Sequence, residues 1–172
     1  IRDQSQMLRY GRLLWVYYEE LAYQIFIHLQ SDKMLNKAAK IMYDKDKDKS
    51  YEIFKLIKSD KVKRRYAQFL YTKGKASDAI EIFTSLNDEY HLDRSLWFLL
   101  NAHNYEGAKQ VFAKFKSYET PAVAWFLTWQ YENDDTQKAK EKFSQIHKHE
   151  YLFWHDIKPV QFLIQKGEFE IA

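Results

Sequence analysis

Lys55, Lys58, Lys61, Lys63, Arg64 and Arg65 set six cations within eleven residues, with Asp60 the one acid among them. Such a cluster suits phosphate groups, an anionic membrane surface or an acidic protein partner; helix ends and loops of a lysine-rich chain also collect such charges with no partner at all. Six histidines raise metal binding, and the tightest group is His147, His149 and His155 with Glu150 beside them. His147 and His149 are two positions apart, which on a helix turns them about 200° from each other, so a shared zinc ion would need a loop there. The alternating run Asp44 to Lys49 imitates a calcium loop only superficially. Lysines stand between its acids, and the central Gly and closing Glu of that motif are missing. Neither a Gly-rich phosphate loop nor a Gly-flanked serine occurs, and zero Cys removes thiolate nucleophiles and ligands. The residues point away from an enzyme, a metal centre or a cofactor site and toward binding.

The chain that must position them has 172 residues with 4 Gly and 2 Pro, far below the roughly 12% that these two supply on average. That argues against sheet folds built on tight turns. A hydrophobic fraction of 46%, with 13 Tyr, 12 Phe and 5 Trp, excludes linker-like and low-complexity chains. A net charge of +3 is too small to make nucleic acid the main partner. The lack of Cys is compatible with a reducing cytosol and with a surface that uses no disulfides, and a cytoplasmic rather than extracytoplasmic location is expected. The most apolar early stretch, Leu13 to Leu29, is broken by Glu19 and Glu20 and is too polar for a membrane span. It lacks the arrangement of a signal peptide, so any membrane anchor is expected outside these residues.

Periodicity places the elements. Met7, Tyr10, Leu14, Tyr17, Tyr18, Leu21 and Ile25 recur at steps of three and four and predict one helix over 5–29, roughly 37 Å long. Trp15, Ala22 and Phe26 widen its apolar arc. Ser31 or Asp32 caps a short helix through Tyr43, and 44–49 reads as a solvated loop. Ser50 caps Tyr51 to Lys58, Asp60 caps Val62 to Lys73, Gly74 ends that helix, and Ser77 or Asp78 starts another through Leu86. Helices follow over 92–102, 105–116, 121–132 and 135–147, with Thr120-Pro121 the clearest start and Asp134 with Gln137 a variant capping box. The organisation expected is an N-terminal part over 1–49 and a run of repeats over 50–172.

The repeat is visible in four turns, which begin at Gly74, His103, Asp134 and Gly167 and lead to Ala79, Ala108, Ala139 and Ala172, spaced by 29, 31 and 33 residues. Four positions after the first three alanines stand Phe83, Phe112 and Phe143, and three further on Leu86, Phe115 and Ile146. Ala, Phe and a large apolar residue at i, i+4 and i+7 make one helical face on which Ala permits close approach of the preceding helix. This pattern resembles the tetratricopeptide repeat family over roughly residues 60–172, with a weaker echo at Ser31 to Tyr43. It departs in its short spacings, its missing closing Pro and in Leu96 and Leu127 where the first helix should have a small residue, a place that Ala67 fills. The resemblance implies an all-α fold of stacked helix-turn-helix pairs; an irregular bundle with accidental spacing is the competing architecture.

In that family the first helix of each pair lines a groove that takes a peptide or protein segment. The resemblance puts Lys61, Arg64, Gln68, Tyr71, Trp97, Asn101, Thr128, Tyr131, Gln161 and Ile164 in it, with aromatics as anchors. The family's carboxylate clamp is only partly echoed, by Lys61, Arg64 and Arg65 with Gln68 in place of Asn. A scaffold or adaptor role follows, with a nucleic-acid or anionic-membrane binder using the 55–65 cations as the alternative. Ala172 falls in the first turn of a second helix, so further repeats are expected, and Phe162, Ile164 and Phe169 would then expose a face prone to self-association. Tyr118, Tyr151, Phe153 and Trp154 lie in or beside connections, and the cluster over 151–154 is a second candidate apolar patch.

Overall fold

A computed structural model describes residues 3–116, 118, 120–145 and 166–167. Among them the fold is all-helical, and the chain divides into two compact units, Ile1–Leu86 and Asn87–Ala172. The first unit holds α1 (Gln4–Leu14), α2 (Glu19–Ile27), α3 (Asp32–Tyr43), α4 (Lys47–Lys55), α5 (Asp60–Thr72) and α6 (Ala76–Thr84). The second holds α7 (Glu89–Asn101), α8 (Tyr105–Phe112), α9 (Pro121–Asn133) and α10 (Thr136–Phe143). Successive helices pair as hairpins, and the first members stand in a row: α3 touches α1 and α5 in one unit, and α7 touches α9 in the other.

The repeat register coincides with the core. Ala79, Ala108 and Ala139 are fully buried, as are Phe83, Phe143, Ala67, Leu96 and Leu127, and Phe112, Leu86 and Phe115 are buried beside them. At three of the four turns the expected first residue is left-handed: φ is 77° at Gly74, 53° at His103 and 76° at Gly167. After Gly74 and His103 the chain closes on the helix it has left, with Lys75 N donating to Leu70 O and Asn104 N to Leu99 O. Thr120 caps α9 with Pro121 in its first turn, as the sequence indicates. The chain leaves α9 instead at Asp134 with φ −136°, and Asp135, one residue later than expected, caps α10 by accepting from Lys138 N.

Two larger expectations also fail. The helix expected over 5–29 is the α1–α2 hairpin, which reverses over residues 15–18. Gly11 is the reason: the Phe26 ring lies where a Cβ on residue 11 would stand, so α2 folds back against α1. Trp15, Ala22 and Phe26 are therefore the inside of the hairpin, while Tyr17 and Tyr18, on the face expected to be buried, are 82% and 63% exposed. The reversal takes about one helical turn's worth of residues, so the apolar period runs through it unbroken. The second failure concerns the charged run. Asp46 caps α4 within it, accepting from Lys49 N at 3.0 Å, and Ser50, expected as the cap, lies fully buried inside α4. Ser50 Oγ donates to Ala39 O at 2.7 Å and accepts from Tyr66 OH at 2.7 Å, which ties α3, α4 and α5 together.

A recurrent bond joins successive hairpins. An acceptor side chain at the start of one first helix takes backbone N–H groups from the segment entering the next. Gln4 Oε1 accepts from Gln30 N at 2.7 Å, the Asp32 carboxylate from Lys58 N at 3.3 Å and Ser59 N at 2.7 Å, and Glu89 Oε1 from Lys116 N at 3.3 Å.

Because the alanines mark contact points, Ala108→Leu and Ala139→Leu should each lower stability by about 1–3 kcal/mol through overpacking. Gly11→Ala should cost a similar amount, about 1–3 kcal/mol, by driving a methyl group into Phe26. Denaturant melts read both, and an unchanged midpoint in all three would mean that these faces are open. A second expectation concerns pH. Burial pushes the Tyr66 phenol up to about 12 from its usual 10. Above pH 10 the unfolded chain ionises first, so the stability this proton confers is complete below pH 10 and is lost as pH rises toward about 12. Tyr66→Phe should flatten the fall in melting temperature over that window but leave part of it, because Tyr23 and Tyr51 are also raised.

Candidate functional site

The α7 helix brings Trp97, Leu100 and Asn101 onto one face, and α9 brings Trp125, Thr128, Trp129 and Glu132 onto another, each by steps of three and four. Between them, lined also by His103 of the α7–α8 turn and by Tyr105 at the start of α8, lies a cavity of about 390 Å³. Trp97 and Trp125 meet edge to face, their centroids 6.1 Å apart and their planes at 73°. Tyr105 lies flat on Trp129 at 4.3 Å and 2°. Lys109 Nζ stands 5.6 Å from the Trp129 ring centre and pairs with Asp134 at 3.1 Å and Glu106 at 3.2 Å. Those carboxylates, Asp134 foremost, hold the Lys109 ammonium above its ordinary value.

The spacing of the two walls is set from outside the cavity. One turn after Glu89, Asp93 Oδ1 accepts from Ala122 N at 3.1 Å, in the first turn of α9, where the backbone donors have no intrahelical partner. This bond fixes the start of α9 against α7 one turn before Trp97. Within the cavity the polar side chains are partly committed: Asn101 Nδ2 donates to Trp97 O at 2.8 Å, Thr128 Oγ1 donates to Ala124 O at 2.9 Å, and His103 Nδ1 shares a proton with Tyr105 OH at 3.2 Å. His103 occupies the place of Gly74 but carries a Cβ in a left-handed conformation, at a cost of about 1–2 kcal/mol. Strained residues of this kind persist at functional sites.

Of the residues assigned to a groove by resemblance, the structure brings Trp97, Asn101 and Thr128 together in this cavity. Tyr131 is half-buried on α9 under Lys140 Nζ at 5.8 Å and does not line it. Lys61, Arg64, Gln68 and Tyr71 share α5 in the first unit, with Lys61 exposed and the other three half-buried. Gln161 and Ile164 lie outside the described residues, as do His147, His149, Glu150, His155, Tyr151, Phe153, Trp154, Phe162 and Phe169. Tyr118 is half-buried against Phe112, its hydroxyl accepting from Lys142 Nζ at 2.8 Å. Sequence reasoning missed Trp125, Trp129, Tyr105, His103, Leu100 and Glu132. The signature of the α9 wall is the series Trp125, Trp129, Glu132 at i, i+4 and i+7, adjoining Thr128.

The basic stretch runs from the end of α4 into the first half of α5, and Lys63 is partly neutralised by Asp60 at 3.8 Å. Burial and then the charge of Arg65 push Lys40 of α3 below its ordinary value, which adds this lysine to the cationic region. Among the described residues no helix is long and apolar enough to cross a membrane. In comparisons with known proteins, no family model, curated protein or solved structure matches this chain.

The turn position yields a paired expectation. His103→Gly should raise stability by about 0.5–1 kcal/mol by relieving the left-handed backbone, whereas Gly74→Ala, with open space around the new methyl, should lower it by about 1 kcal/mol. Thermal melts of the two variants, moving in opposite directions, test whether the two turns are equivalent.

Proposed function

We propose that this chain is a protein-interaction module, a scaffold or adaptor that holds a peptide segment along the first helices of its hairpins. The observation that carries the reading is the α7–α9 cavity, where exposed Trp97 and half-buried Trp125, Trp129 and Tyr105 converge, because Trp and Tyr side chains in a cleft are the residues that supply most of the energy in protein recognition. Trp97 is 36% exposed although its neighbours Leu96 and Leu99 are fully buried, so the helix presents a large apolar side chain outward. The hairpin order and the alanine register support a tetratricopeptide-like identity for the architecture, in which the first-helix face is the binding face. Lys61, Gln68 and Tyr71 on α5 are the corresponding contact stretch of the first unit.

The alternative, a binder of nucleic acid or an anionic membrane surface, draws on the cations of α4 and α5 together with Lys40. It predicts affinity that falls steeply between low and physiological salt and that vanishes when Lys61, Arg64 and Arg65 are reversed in charge.

Selection of a displayed peptide library against the chain tests the first reading. Peptides recovered with wild type should bind Trp97→Ala and Trp125→Ala about 10- to 30-fold more weakly, with helicity unchanged by circular dichroism. Equal binding to both variants would remove the cavity from the proposal.

A further inference from the structure

We infer that the α7–α9 cavity is a seat for the guanidinium side chain of an arginine carried by a bound peptide, which rests on the peptide-binding reading above and names its anchor residue. The charge of the lining is the first ground. Among the described residues Glu132 is its only carboxylate, is exposed at the cavity and has no ion-pair partner. No Lys or Arg among the described residues lines the cavity. Two uncharged polar side chains, Thr128 and Asn101, lean the same way. Thr128 spends its one proton on Ala124 O and so offers only lone pairs, and Asn101 keeps its carbonyl oxygen while one amide proton goes to Trp97 O. A ligand that brings positive charge to Glu132 and donors to these two side chains fits this set; a carboxylate or phosphate meets the charge of Glu132.

The aromatic geometry narrows the cation. Trp97 and Trp125, at 73° to each other, form a corner whose ring faces carry negative quadrupole potential toward a cation. A planar guanidinium can stack on one indole and turn its edge to a carboxylate in a two-point fork, whereas the compact ammonium of lysine is more strongly hydrated and has no plane to stack. The same cluster already carries one cation–π contact, Lys109 over Trp129 with its charge neutralised by Asp134 and Glu106. A cavity of about 390 Å³ is at the small end of the range of about 300–1,000 Å³ for ligand pockets, which suits one long side chain with its adjoining backbone.

The test is a titration followed by the tryptophan indole N–H signals, assigned with Trp→Phe variants. The probes are blocked pentapeptides, Ala-Ala-X-Ala-Ala, in which X is arginine, its uncharged isostere citrulline, trimethyllysine, proline or glutamate. The expected result is saturable movement of the Trp97 and Trp125 signals by the arginine peptide, with citrulline at least about fivefold weaker. Glu132→Gln should bring arginine down to citrulline's level, while Glu81→Gln in the first unit should leave the difference intact. If citrulline or proline binds as well as arginine, the cavity takes a peptide without reading charge, and this inference falls while the proposed function stands. Tighter binding of trimethyllysine than of arginine keeps a cation site but overturns the guanidinium. If no probe moves either indole signal and library-selected peptides also fail to move them, the peptide-binding reading of the cavity falls as well.

Discussion

The backbone donors that lead into a helix have no partner within it, and in this chain an acceptor on the previous first helix supplies one. Gln4, Asp32 and Glu89 each occupy the first turn of a first helix and each take N–H groups from the segment 26 to 27 residues later. A bond of this kind to a carboxylate contributes about 1.5–3 kcal/mol and, unlike apolar contact, fixes direction and distance. It determines where the next hairpin begins relative to the last. The rows α1–α3–α5 and α7–α9 follow from that placement, and so does the face that each row leaves open.

Close approach is the second requirement, and it is met by small side chains at the crossings. Gly11 against Phe26 closes the first hairpin, and buried Ala79, Ala108 and Ala139 serve α6, α8 and α10. Where the crossing is tightest the chain uses Gly, and local helical continuity gives way to tertiary contact. Ser50 shows the same competition in polar form. Its hydroxyl bridges Ala39 O and Tyr66 OH inside the first unit, and the capping role passes to Asp46, which is free to bend into the first turn of α4.

The cavity is a consequence of the same construction. In the second unit a longer connection separates α8 from α9, and two acidic side chains one turn apart, Glu89 and Asp93, hold Lys116 N within it and Ala122 N just after it. With the start of α9 pinned beside α7, the space one turn further along is walled by three tryptophans and a tyrosine, and its rim carries Glu132. Rings in such a place lose little conformational entropy on binding, which makes them effective anchors. His103 lines the cavity in a backbone conformation that glycine would adopt at less cost, which is consistent with a side chain kept for the site and not for the turn.

The amino-acid sequence by itself determined the helical class, the turns and the buried face of the later hairpins. Gly74, the Thr120-Pro121 start and the Ala-x-x-x-Phe series are local signals, and local physics suffices for them: a left-handed residue ends a helix, a hydroxyl caps one, and a 3.6-residue period defines a face. Trp97, Asn101 and Thr128 were assigned to one face only through the resemblance to a repeat family, and the structure brings these three together in the cavity. The hairpin of α1 and α2 was not legible, because a reversal of about one turn preserves the apolar period, and only the Phe26 ring lying against Gly11 distinguishes two helices from one. Nor was the full cavity. Trp125, Trp129 and Glu132 become one site with Trp97 only when α9 stands beside α7, and that pairing rests on the bond from Ala122 N to Asp93 across 29 residues, which no local pattern encodes.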